Sequence, residues 1–219
     1  IDEWETYFKT VSANHQKVLL KVDTRIEDSN ALKNLTTKVE LLDAQGKQVA
    51  TGQQKINQQG AASFNLEVTN PHLWDIDTPY LYTLKTTLLK GKKAIDQTTT
   101  KVGIRTIDVS KEYGFRLNGK SLKFKGVCLH HDLGALGAAL NKTAVIRQIE
   151  MMKKMGVNAI RTSHNMPSQM QMDVCDSLGM MVMAESFDAW KDLKVKNGYG
   201  RIYDEWWRKD LENLIKGHR

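Results

Sequence analysis

The spacing of the apolar residues changes period half-way along the chain, and this switch constrains the fold more than any single motif. Through residues 1–109 the apolar side chains come in short alternating runs: Val18 to Val22, Leu35 to Leu42, Ala62 to Val68, Leu81 to Leu89 and Gln97 to Val102. A period of two is that of a half-buried β-strand, whose side chains point alternately to core and solvent. Turn-forming clusters divide the runs at Asp43 to Lys47, Asn57 to Gly60 and Lys90 to Lys92. About seven short strands in roughly 100 residues imply a two-sheet β-sandwich. The Cys…Trp…Cys spacing of true immunoglobulin domains is absent, so the expectation is an immunoglobulin-like architecture only.

Beyond residue 109 the pattern alternates strand, helix, strand, helix, strand, helix. Leu122 to Leu129 reads as a strand. Asn141 then caps a helix from Lys142 to Met155, ended by Gly156, with Val145, Ile149 and Met152 on one face. Val157 to Thr162 is a second strand, and Pro167 falls in the first turn of a second helix carrying Met170, Val174 and Leu178 and stopping at Gly179. Met180 to Ala184 is a third strand. After a long loop, Ser186 to Arg201, a third helix carries Trp207, Leu211 and Leu214 and stops near Gly217. Apolar strands alternating with helices imply a parallel sheet with right-handed crossovers. All nine methionines lie between Met151 and Met183, and those of the first two helices are read as core filler.

Composition removes several function classes. The net charge of +7 is uneven: residues 1–109 carry 14 basic and 13 acidic side chains, residues 110–219 carry 18 and 12. The extra lysines are scattered among acids, without the basic stripe and interleaved aromatics of a nucleic-acid surface, so no nucleic-acid partner is expected. No apolar run approaches the ~20 residues of a membrane helix, and no membrane partner is expected. Leu129-His130-His131-Asp132-Leu133-Gly134 is not a Gly-rich phosphate loop, which removes a dinucleotide reading and leaves no cofactor expected. Cys128 and Cys175 lack CxxC spacing and read as buried, free thiols. The opening Ile1-Asp2-Glu3-Trp4 is no signal peptide and reads as the start of a cut piece, with the compartment left open.

Polar residues collect behind the three predicted strands of the second half. His130, His131 and Asp132 follow the first, Ser163, His164 and Asn165 the second, and Glu185, Asp188 and Trp190 the third. In parallel α/β architectures these ends open onto one face, where sites are built. A lone histidine after a strand is ordinarily a cap or a loop residue, but His130 and His164 on neighbouring strands point to a site. His131 reads either way. Trp190 either covers the end of the sheet or offers a flat apolar face to a sugar ring. Lys191 to Lys196 reads as a solvated loop, with a lid hinged at Gly198 and Gly200 as the alternative. Glu185 and Asp188 suit a glycosidase carboxylate pair, although both follow one strand. The histidines and Asp132 suit a divalent metal, although adjacent His130 and His131 face opposite ways on a strand. No G-x-S-x-G elbow exists for acyl transfer. The residues alone leave carbohydrate-type and metal-type barrel hydrolases both open.

The motifs, taken in order, resemble the family 2 glycoside hydrolases, the group of β-galactosidases, β-glucuronidases and β-mannosidases, over essentially all 219 residues. Asn70-Pro71-His72-Leu73-Trp74 followed by Thr78-Pro79-Tyr80-Leu81-Tyr82 is similar to the sandwich-domain segment N-P-x-L-W…P-Y-L-Y. Val102-Gly103-Ile104-Arg105-Thr106-Ile107 and Phe115-Arg116-Leu117-Asn118-Gly119-Lys120 resemble the passage into the barrel. Lys125-Gly126-Val127 ahead of His130, and Asn158-Ala159-Ile160-Arg161-Thr162-Ser163-His164, resemble the first two barrel strands. Asp204-Glu205-Trp206-Trp207 is similar to the helix before the catalytic glutamate.

The resemblance implies an immunoglobulin-like β-sandwich over 1–109, followed over 110–219 by the first three β/α units of a (β/α)8 TIM barrel. It implies that His130 and His164 hydrogen-bond sugar hydroxyls, that Arg161 orients the nucleophilic carboxylate, and that Asn165, Asp188 and Trp190 are further substrate-binding residues. Both catalytic glutamates are expected beyond Arg219, so none is assigned to this chain, and Ile1 to Thr10 is read as the linker from a preceding domain. Departures surround the pocket. Cys128-Leu129 stand where the common motif has Asn-Arg, Asn165-Met166-Pro167 follow His164 in place of Tyr-Pro, and Ala184 replaces an Asp. The metal-binding residues of some members have no counterpart, so no metal is assigned. The expected function is part of a retaining exo-β-glycosidase acting on a β-galactoside or related carbohydrate. A metal-dependent hydrolase and a non-catalytic carbohydrate-binding module stand as alternatives, and assembly as a homo-oligomer is left open.

Overall fold

The alternating runs of the first half form seven strands: β1 (Tyr7–Ala13), β2 (Lys17–Arg25), β3 (Leu35–Leu42), β4 (Gln48–Lys55), β5 (Ala61–Thr69), β6 (Tyr82–Lys90) and β7 (Lys93–Val102). They are seen in a computed structural model that describes residues 1, 6–14, 16–26 and 34–217. Of the expected linker Ile1 to Thr10, residues 2–5 lie outside the described residues, as does the chain end after Gly217. The strands build two antiparallel sheets, in the orders β1-β2-β5 and β4-β3-β6-β7. Register sets like against like: Val18 opposite Val68, Leu20 opposite Leu66, Val22 opposite Phe64, and Leu41 opposite Leu84. The inner faces of the two sheets share one core containing Val18, Leu20, Val39, Leu41, Leu66 and Leu84. Each such side chain stabilises the fold by roughly 1.5–3 kcal/mol relative to exposure. The expected sandwich is present.

Strands β1 and β4 carry little of the period-two signal because few of their side chains enter the core. Only Phe8 of β1 is buried, and β4 is rich in Gln. Gly52 within β4 answers to packing: a Cβ there would sit 2.8 Å from the Phe64 ring.

The motif residues of the first half converge on Trp74, which is 2% exposed. Its N–H donates to the Ile104 carbonyl (2.8 Å), and Asn118 Nδ2 donates to the Trp74 carbonyl (2.9 Å). Gly103 leaves room for the indole, since a Cβ would lie 3.1 Å from it. The Arg105 guanidinium covers the ring at 5.1 Å. Tyr82 Oη accepts from the His72 N–H (2.9 Å), and burial raises its phenol above the ordinary range. These signature residues thus serve the fold. A further small antiparallel sheet, β8 (Ile107–Ser110), β9 (Gly114–Leu117) and β10 (Lys120–Ser121), was not expected. Its strands have two to four residues, too short to show a period.

The chain divides into two compact units, Ile1–Leu122 and Lys123–His218. The division expected between residues 109 and 110 falls inside β8. In the second unit β11 (Gly126–Leu129), β12 (Ala159–Thr162) and β13 (Met181–Met183) form a parallel sheet, interleaved with α1 (Lys142–Lys154) and α2 (Gln169–Leu178) and followed by α3 (Tyr203–Gly217). Asn141 caps α1 by accepting from the Ala144 N–H, as expected, and Gly179 ends α2 in the left-handed region at φ 71°. Pro167 is corrected: it precedes the N-cap Ser168, whose hydroxyl accepts from the Gln171 N–H. The reading of the methionines as core filler is corrected in part. Met152 packs against the core of the second unit, but Met151 and Met155 are exposed, because the inward face of α1 carries Val145 and Ile149. Among the described residues, no helix is long and apolar enough to cross a membrane.

Candidate functional site

The parallel register puts Cys128, Arg161 and Met183 level on three adjacent strands, with Val127, Ile160 and Val182 level one residue earlier. Successive strand residues face opposite ways. Val127, Ile160 and Val182 pack with Val145, Ile149 and Val174 of the helices. Cys128, Arg161 and Met183 therefore share the face away from the helices, where Cys128 and Met183 are exposed, so the expected burial holds for Cys175 and is corrected for Cys128. Two residues further along, His130 and Glu185 have the same parity.

The strand ends come together through Glu185. Arg161 Nη2 pairs with Glu185 Oε1, while Arg161 Nη1 lies 3.7 Å from Cys128 Sγ. The Glu185 N–H donates to Thr162 Oγ1 at 3.1 Å. His164 Nδ1 lies 3.4 Å from Glu185 Oε2 and 4.0 Å from Asp188 Oδ1. The His130 and His164 rings meet edge to face, 5.0 Å between centroids. The Ser163–His164 peptide is cis. Lys194 Nζ donates to Asp188 Oδ1 at 2.9 Å and holds that carboxyl below the usual carboxylate range. This direction is opposite to the raised pKa that a general acid needs. The Ser163 hydroxyl and the Arg161 guanidinium lower the Cys128 thiol.

Of the residues read from the sequence, His130, Arg161 and His164 come together, with Asp188 at their margin. Asn165 is exposed beyond His164. His131, at φ 53°, turns away and lines a cavity of about 30 Å³ with Leu133, Val145 and Gln148. Asp132 shapes its own loop, accepting from the Gly134 N–H at 2.8 Å. Trp190, 69% exposed, stacks on Tyr203 (6.4 Å, 13°), which stacks on Trp207 (6.3 Å, 14°). Phe187 and Tyr199 stack beside them, and Tyr199 Oη donates to Asp210 Oδ2 at 2.5 Å. Glu185, read from the sequence as one of a possible carboxylate pair with Asp188, instead pairs with Arg161 and was not assigned to the sugar pocket. The available signal was its parity, two residues past Met183 on the face of Arg161. Among the described residues, no group of three His, Cys, Asp or Glu side chains is placed to hold a metal ion.

Comparison with known proteins joins both units to one family. The description "Glycosyl hydrolases family 2" matches residues 1–105, and "Glycosyl hydrolases family 2, TIM barrel domain" matches residues 107–209. The chain belongs to glycoside hydrolase family 2. Its first unit holds the family's sandwich and its second the start of the family's barrel domain. It is 42% identical to the beta-galactosidase BoGH2A of Bacteroides ovatus, over 97% of this chain and 26% of that protein. It is 32% identical to a beta-glucuronidase of Bacteroides fragilis, over 81% of this chain and 26% of the relative. A solved family 2 structure from Bacteroides cellulosilyticus superposes with a TM-score of 0.93 at 36% identity, over 99% of this chain and 28% of its own. The chain thus spans about a quarter of the length of these family 2 relatives.

Proposed function

We propose that a whole protein carrying this chain is a retaining exo-β-glycosidase, and that these residues grip the terminal sugar without supplying the carboxylates that cut it. The observation that carries the reading is the convergence of His130, Arg161, His164 and Glu185 at the ends of three adjacent parallel strands. In this reading β11, β12 and β13 are the first three strands of a (β/α)8 barrel. His130 and His164 hydrogen-bond sugar hydroxyls. Arg161 lends its rigid fork to a nucleophilic carboxylate. Asp188 and Asn165 line the margin, and the free face of Trp190 meets a sugar ring. The cations beside the histidines are both paired, Arg161 with Glu185 and Lys194 with Asp188. That pairing favours a neutral sugar such as a β-galactoside over a uronate, whose carboxylate would compete for them.

The test is a titration of the ¹⁵N-histidine-labelled protein with methyl β-galactoside and, separately, methyl β-glucuronide. The galactoside is expected to move the His130 and His164 signals and leave His72, in the other unit, in place. Response to neither sugar removes the pocket, and a stronger response to the glucuronide reverses the sugar preference. In a whole enzyme, His130→Ala or His164→Ala is expected to lower kcat/KM about 10–100-fold, the worth of a lost substrate hydrogen bond of about 1.5–3 kcal/mol.

A further inference from the structure

Glu185 stands where the three strand ends meet. Its Oε1 is taken by Arg161, and its backbone N–H is taken by Thr162. Its second oxygen, Oε2, is buried without a hydrogen-bond partner, with His164 Nδ1 3.4 Å away. A carboxylate oxygen withdrawn from water and lacking a donor is costly. A proton on His164 Nδ1 is the one placed to answer it. Asp188 Oδ1, 4.0 Å from the same nitrogen, adds a second negative group on that side.

We infer that Glu185 is a positioning residue that holds neutral His164 in its Nδ1–H form. The partner of one ring nitrogen decides which nitrogen carries the proton. With the proton on Nδ1, Nε2 at the far edge of the ring is a bare lone-pair acceptor. It takes a hydrogen bond from a hydroxyl and repels a carboxylate, so Glu185 tunes the pocket for neutral sugars through His164. This last consequence rests on the sugar-pocket reading, whereas the position of the proton does not.

Long-range ¹H–¹⁵N correlation of the histidine-labelled protein at about pH 8.5, where imidazoles are neutral, reads the two nitrogens directly. The expected spectrum has His164 Nδ1 at the protonated position and Nε2 at the unprotonated one. In Glu185→Gln, Arg161 takes the amide oxygen and turns the NH₂ group toward Nδ1, so the two positions exchange. A structural role alone would not reverse them. An Nε2–H form in the unaltered protein overturns the inference, as does an unchanged Nδ1–H form in Glu185→Gln with His72 at its native shift. The spectrum of the unaltered protein decides even where the variant does not fold. No sugar enters the measurement, so it succeeds or fails apart from the glycoside titration.

Discussion

The sandwich closes two sheets on each other, whereas the parallel sheet of the second unit is covered by helices on one face and open on the other. In the first unit Val39, Leu41 and Leu84 are shut away between layers, and Asn118 ties backbone to backbone by donating to the Trp74 carbonyl. In the second, the open face carries Cys128, Arg161 and Met183, and its polar side chains serve one another. The difference teaches where each kind of chemistry is tolerated. The sandwich buries lone hydroxyls at less cost than charges, and those of Thr24, Thr37 and Thr87 lie inside it without a hydrogen-bond partner, whereas charge is gathered on the open face. The open face keeps a partly free cluster in which one carboxylate oxygen still lacks a donor.

The two cysteines give the largest contrast, one on the open face and one beneath it. Ser163 and Arg161 lower the Cys128 thiol, while burial pushes Cys175 up to about 12. A lowered pKa places thiolate at a lower pH. Iodoacetamide should therefore label Cys128 below the pH at which free cysteine reacts, and reach Cys175 only on unfolding. Equal labelling rates, followed by mass spectrometry, would break the comparison. Trp74→Ala should cost the sandwich about 3–5 kcal/mol in urea unfolding, the range for emptying a buried aromatic site. Amide exchange is expected to quicken in β3 and β6. An equal loss of protection in α1 and α2 would show the two cores to be one. The smallest effect is local to the second unit: Gly179→Ala forces a Cβ into a left-handed cap and should cost about 1 kcal/mol. An unchanged melting midpoint would remove the importance given to that cap.

Much of this organisation was legible before any coordinates. Strands β2, β3, β5 and β6 show themselves because a core on one side imposes alternation on the sequence, whereas β7, buried only at Val102, shows itself through its threonine run. Strands β1 and β4 do not, since a strand with one buried Phe8 or a run of glutamines leaves little pattern. In the second unit the caps Asn141 and Gly179 are readable from residue type alone, and the positions of His130 and His164 follow from strand ends, whereas Arg161, inside β12, is readable only through the family resemblance. The partnership of Arg161 with Glu185 was not readable, because it depends on the register between β12 and β13. The opposite fates of His130 and His131 beyond β11 depend on a backbone turn that no period announces: His131 has a positive φ.

The level placement of Cys128, Arg161 and Met183 has a consequence for how this architecture can be altered. A one-residue insertion or deletion inside β12 would move Arg161 under the helices and Ile160 into the open. Changes of strand length therefore cannot retune the site gradually. Loops after the strands can grow or shrink without exchanging the two faces, so a designer seeking a new sugar preference has the stretch from Ser186 to Arg201 to vary while the strands and Glu185 stay as they are.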